Sequence, residues 1–173
     1  MSLETTIALV RAKYPKARIA NLSKPWRKPD DLTYEQEVDF KPRGLWYGIG
    51  ESWLDWLDSE QANWYGPYTY VLDIPRGAEI LSLRTADAVV AFEQKFGVAL
   101  GRTTTRSIDW RRVAKDYCGV EIAPYQHSLR YGPLWYYGWD VASGCIWNPA
   151  CAPRARLIAD DSEAGAGRHG RYA

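Results

Sequence analysis

Nine tryptophans and twelve tyrosines against three phenylalanines constrain this chain of 173 residues more than any other feature. Rings of that size have two kinds of place to go, a core or a platform on which a ligand or partner rests. Preferring Trp and Tyr to Phe gives each ring a polar handle, which suits partly wet surroundings. A chain of this length buries about 70% of the surface that its unfolded form exposes, so one self-sufficient core can house many of these rings. Hydrophobic residues at 46% and charged residues at 25% match an ordinary globular domain. The chain reads as a single α+β domain over residues 1–159, followed by a flexible tail over 160–173 where Gly, Ala and charge leave almost nothing to bury.

Periodicity gives the coarse layout. Leu3, Ile7, Val10 and Tyr14 repeat at helical spacing, and Pro15 ends the run. Ala17 to Ser23 alternates as a strand does, and a polar, proline-bearing loop runs from Lys24 to Lys41. Gly44 to Gly48 is a brief apolar strand, after which Ser52 is placed to cap a helix carrying Trp53, Leu54, Trp56 and Leu57. Period two returns at Tyr68, Tyr70, Leu72 and Ile74, and Pro75-Arg76-Gly77 turns the chain into Glu79 to Leu83. Thr85 caps a helix through Ala88, Phe92 and Phe96 that stops at Gly97. Ser107 or Asp109 opens another through Tyr117, and strands follow at Gly119–Ala123, Gly144–Asn148 and Arg156–Ala159. Helices and strands mixed without regular βαβ alternation predict an α+β fold whose sheet is mostly antiparallel and split, with flanking helices.

Several chemistries are excluded or disfavoured. Twenty-two basic and 21 acidic side chains leave a net charge of +1, which does not suit a protein that holds a polyphosphate by bulk electrostatics. Neither G-x-G-x-x-G after a strand nor G-x-x-x-x-G-K-[ST] occurs. With only His127 and His169 and no CxxC pair, no zinc site is expected. Three cysteines, an odd number, are expected as reduced thiols, and a nucleophile pair drawn from Cys145 or Cys118 with His127 competes with the plainer reading of cysteine as a small buried hydrophobe. The opening MSLETTIALV has neither a basic n-region nor a long apolar h-region, and no run approaches ~20 apolar residues, so a cytoplasmic protein without a membrane partner is expected.

The order of three short segments is the strongest functional signal: Asn21-Leu22-Ser23 ending a first strand, Gly44-Leu45-Trp46-Tyr47 with Ser52 opening the helix beyond it, and Gly119-Val120-Glu121-Ile122 in a late strand. This order resembles the ADP-ribosyltransferase superfamily, in its branch with a His, Tyr, Glu signature, and the wider pattern resembles small proteins of bacteria and their phages. The resemblance covers about Arg18 to Trp147 and departs from the family at two places, with Asn21 where His is usual and Trp46 where Tyr is usual. It implies an ADP-ribosyltransferase-like fold and a mono-ADP-ribosyltransferase that consumes NAD without a metal, with a protein or nucleic acid as acceptor. Glu121 would be the catalytic carboxylate, because cleaving the nicotinamide–ribose bond builds positive charge on the ribose that a nearby carboxylate stabilises. Trp46 and Tyr47, with Gly44 beside them, would hold the flat nicotinamide. Asn21 and Ser23 would hold the ribose, Arg43 or Lys41 the pyrophosphate, and Ser52 would line the pocket.

Each of these residues has a structural reading too: Glu121 as a solvent-facing strand residue, Trp46 as core, Asn21 and Ser23 as turn residues. A second functional reading is a non-catalytic aromatic-rich binding module for nucleic acid, sugar or protein, presented by Trp135, Tyr136, Tyr137 and Trp139 with Tyr125 and Tyr131. It requires those rings to form an open face, whereas burial would make them core. A third uses Arg102, Arg106, Arg111 and Arg112, with Thr103 to Thr105 between them, as a phosphate-contacting patch for nucleic acid. A glycosidase pair of Asp55 or Asp140 with Glu121 has no positive support.

Overall fold

The computed structural model describes residues 1–27, 33–102 and 105–165. Its first helix, α1 (Leu3–Lys13), begins where the Ser2 hydroxyl accepts the Thr5 N–H at 3.3 Å and buries Ile7 and Val10 at the predicted spacing. The strands β1 (Arg18–Leu22), β2 (Val38–Asp39) and β3 (Leu45–Ile49) come next, and then α2 (Ser52–Glu60). After β4 (Tyr68–Asp73) and β5 (Ile80–Leu83), α3 (Ala86–Phe96) passes directly into β6 (Gly97–Ala99). The rest comprises β7 (Arg106–Asp109), α4 (Trp110–Val113), β8 (Gly119–Ile122), α5 (Leu134–Tyr137), β9 (Ser143–Ile146), β10 (Arg154–Asp160) and α6 (Ser162–Gly165).

These elements make an α+β domain with two sheets. Seven strands run in the order β10-β4-β1-β3-β9-β8-β5, and three in the order β2-β7-β6. Neighbours are antiparallel except β5 and β8, which are parallel, so the larger sheet is mixed. Because successive strand residues face opposite sides, the register sorts the large sheet into two faces. Ile19, Trp46, Val71, Val120, Ile122 and Cys145 share one face with the helices. Against it lie two cores: Ile7, Val10, Leu54 and Leu57 of α1 and α2, and a ring-rich cluster of Phe92, Phe96, Trp110, Trp135, Trp139 and Trp147. The other face carries Ala20, Leu45, Tyr47, Tyr70, Leu72 and Ile146.

Three expectations fail. The helix expected from Ser107 is a strand there, because Ser107 and Ile108 pair with β6 and Ile108 and Asp109 with β2, and only Trp110–Val113 is helical. The tail expected from residue 160 does not begin there: β10 runs through Asp160, and the buried Asp161 donates its backbone N–H to Pro67 O at 2.8 Å and accepts the Tyr65 hydroxyl on its carboxylate. Residues 166–173 of that expected tail lie outside the described residues. The cysteines, finally, are not all thiols. Cys118 and Cys151, 33 residues apart with their Cα atoms at 5.8 Å, form a disulfide, while Cys145 is free and buried.

Candidate functional site

The register separates the residues that the sequence proposed for one site. Tyr47 and Glu121 both stand opposite Gly144 of β9, one on each side, so all three point to the face away from the helices. A Cβ on Gly144 would collide with the Tyr47 phenol; its absence lets the ring cross β9. Tyr47 then donates its hydroxyl to Glu121 Oε2 at 3.0 Å, and Arg18 Nε donates to the same oxygen at 2.7 Å. The Glu121 side chain is 14% exposed, so it is neither a solvent-facing strand residue nor open to a bulky ligand. Burial first, and the Glu121 carboxylate second, push the Tyr47 hydroxyl well above the ordinary tyrosine range and keep it a donor. For Arg18, burial pulls down, but Glu121 more than offsets it and the guanidinium stays charged.

Trp46 takes the opposite face, beside Cys145, and there it borders a pocket of about 500 Å³ between the two cores. Gly48 builds one wall by having no side chain: a Cβ would lie 2.8 Å from Trp53 Cβ, so α2 can settle onto β3 and bring its indole to the cavity. Trp53 stacks on Trp56 at 4.9 Å and 13°, and Trp64 leans on Trp56 and also lines the pocket. On the other side Trp139 meets Trp46 at 4.9 Å. Two charges sit among these rings. Lys41 passes against Gly138 and places Nζ 5.5 Å from the centre of the Trp46 ring, and Asp140 adds a half-buried carboxylate. Neither makes an ion pair with another described residue.

Of the residues proposed to hold a cofactor, Asn21, Lys41, Gly44, Trp46 and Tyr47 line this pocket, although the Tyr47 hydroxyl is spent on the far face. Asn21 is also engaged: its amide accepts from Gly66 N at 2.7 Å and donates to Gly66 O at 2.7 Å and Thr69 Oγ1 at 3.0 Å. Ser23, Arg43 and Ser52 do not line it. Ser23 is exposed beyond the end of β1, and Arg43 pairs with Glu37 at 2.7 Å in solvent. Ser52 is not the cap of α2 either. Its hydroxyl accepts from Ile49 N at 3.2 Å and donates to Ala142 O at 2.9 Å, tying α2 to the chain ahead of β9. Sequence reasoning missed Trp53, Trp64, Trp139 and Asp140 as pocket residues. Trp53 and Trp56 at i, i+3 were the visible signal; Asp140 had none, since its place depends on how α5 packs.

The competing readings lose most of their named residues. Trp135, Tyr136, Trp139 and Tyr125 are buried, leaving only Tyr131 and Tyr137 of that group exposed. Arg106 donates to Gly97 O, Arg111 pairs with Asp109, and Arg112 donates to Lys95 O, so three of the four arginines of the proposed patch serve local contacts; Thr103 and Thr104 lie outside the described residues. Cys118 is in the disulfide, and burial pushes the Cys145 thiol well above its ordinary value, while His127 is exposed and packs on Tyr125. Among the described residues no group of three or more His, Cys, Asp or Glu converges on a metal position, and no helix is long and apolar enough to cross a membrane. Compared with known proteins, the chain matches no family model, no curated protein and no solved structure.

Proposed function

We propose that the indole-walled pocket holds the nicotinamide end of NAD and that the protein is an ADP-ribosyltransferase-like enzyme, with Asp140 rather than Glu121 as its working carboxylate. The observation that carries this reading is the pair of charges unpaired among the described residues, Lys41 and Asp140, inside a pocket walled by Trp46, Trp53, Trp64 and Trp139. The nicotinamide of NAD is a flat cationic ring on a ribose, followed by an anionic pyrophosphate. Indole faces attract a flat cation, and the Lys41 ammonium already lies near one of them. In the bound state Lys41 would move to the pyrophosphate.

The chemistry follows from where charge develops. The nicotinamide nitrogen leaves with the electron pair of the C–N bond, the ribose becomes cationic, and the acceptor adds its lone pair and loses a proton. A carboxylate in a partly dry pocket stabilises that cation more than the ground state. Glu121 is on the other side of the sheet from Trp46, so one nicotinamide does not touch both.

The test is nicotinamide release by the wild type, Asp140→Asn and Glu121→Gln. The expected result is turnover by the wild type, a loss of about 100-fold or more in Asp140→Asn, and retained turnover in Glu121→Gln. Loss in Glu121→Gln with full activity in Asp140→Asn would return the role to Glu121. If the wild type neither binds nor cleaves NAD, the pocket is a non-catalytic site for a flat ring, a reading favoured by Asn21, whose amide is already committed to Gly66 and Thr69.

A further inference from the structure

The far face of the large sheet holds a second cavity of about 310 Å³, bordered by Arg18, Ser82, Arg84 and Glu121 at its polar side and by the Ile74–Ile80 turn at its apolar side. We propose that this cavity is a binding site for a phosphate group, free or carried by a small metabolite. It is independent of the NAD reading, being on the opposite side of the sheet.

The argument starts from charge and valence. Two guanidinium groups face one carboxylate, so the cavity carries an excess of one positive charge. Arg18 donates Nε to Glu121 and its guanidinium also lies within reach of the Tyr47 hydroxyl, but its Nη groups make no ion pair with a described residue, which leaves N–H groups of a planar cation for an oxyanion. The fork is held in place from below by the Tyr47 ring, 5.9 Å from the guanidinium carbon, and from the side by the bond to Glu121. Ser82 stands in register with Glu121 on the neighbouring strand, and Arg84 follows two residues later on the same face, exposed and without an ion partner among the described residues. Arg18, Ser82 and Arg84 thus all bring donor groups to the cavity lining.

Glu121 selects among oxyanions. Its Oε2 takes both bonds, from Arg18 and Tyr47, while Oε1 accepts from no described residue. Inorganic hydrogen phosphate, or a phosphomonoester in the monoanionic form that prevails below its second pKa of about 6, has oxygens for the arginines and a P–OH for Oε1, whereas sulfate and a ligand carboxylate are unprotonated near neutral pH and place only lone pairs there. The volume suits a phosphomonoester.

The experiment is titration of the purified protein with inorganic phosphate, sulfate and glycerol phosphate, followed by calorimetry and by the backbone amide resonances of residues 80–84 and 119–122. The expected result is one saturable phosphate site, with sulfate weaker and with affinity about tenfold lower in Arg84→Gln, a change at an exposed residue that leaves the fold intact. Glycerol phosphate tighter than phosphate assigns the Ile74–Ile80 wall to an organic portion; equal affinity assigns the site to phosphate itself. No saturation by about 10 mM phosphate, or undiminished affinity in Arg84→Gln, overturns the site. Sulfate binding as tight as phosphate overturns the selectivity given to Glu121. Tryptophan fluorescence of the opposite pocket should respond to NAD alike in both proteins, which keeps this result separate from the nucleotide reading.

Discussion

Gly144 is required by a ring rather than by a turn. It lies between Tyr47 and Glu121 on the central strands, and a methyl group there would occupy the position of the phenol. Gly144→Ala should therefore destabilise the protein by about 1–3 kcal/mol through overpacking. It should also part the Tyr47 hydroxyl from Glu121, leaving Arg18 to hold the carboxylate alone. If the clash with Tyr47 is the cause, the double variant Gly144→Ala, Tyr47→Ala will lose less than the sum of the singles by more than about 0.5 kcal/mol in denaturant unfolding. Strict additivity would show that the ring's path has no bearing on the glycine. In sequence, Gly144 sat at the edge of an apolar strand and Glu121 in another, and neither signalled the other.

The elements follow local rules where their faces are simple. Helix α3 starts at Thr85, whose hydroxyl accepts the Ala88 N–H at 3.1 Å, and it buries Val89, Phe92 and Phe96, so cap and stripe agree with the sequence pattern. Thr85→Ala should cost about 1 kcal/mol, read as a lower denaturation midpoint with an unchanged slope. An unchanged midpoint would mean that packing of the phenylalanines alone fixes the start of the helix. Helix α2 departs from the rule. Ser52 is its first residue rather than its cap, and the hydroxyl bridges Ile49 N and Ala142 O where β3 ends, because a short hydroxyl side chain can reach two backbone groups at once. The stretch from Ser107 departs for a different reason. Its apolar residues fit a short helix as well as a strand, and the unpaired edges of β2 and β6 settle the choice.

At the scale of the molecule, the disulfide joins the residue before β8 to the turn before β10, strands that are not neighbours in the sheet. Closing a loop of 33 residues stabilises the folded state by about 3–4 kcal/mol in the chain-entropy account. Reduction, or Cys151→Ala, should lower the unfolding free energy by up to that amount, and the reduced wild type should match the variant. A variant unchanged by reductant and equal in stability to the oxidised wild type would show that the link contributes nothing. The two cavities also belong to this scale. They lie on opposite faces of one sheet: Trp46 of β3 lines the first, and its neighbour Tyr47 reaches across the other face to Glu121, which lines the second.

The sequence by itself determined the α+β class, the first helix, the Thr85 helix and most strands. All of these depend on periodicity, caps and short runs that a chain displays within a few residues. Only the tertiary structure decided that Glu121 and Trp46 face away from each other, that Trp53, Trp139 and Asp140 converge, and that Cys118 finds Cys151. Strand register, the packing of α5 and the meeting of distant cysteines depend on pairings across the whole chain, and a one-residue change of register would exchange the two faces.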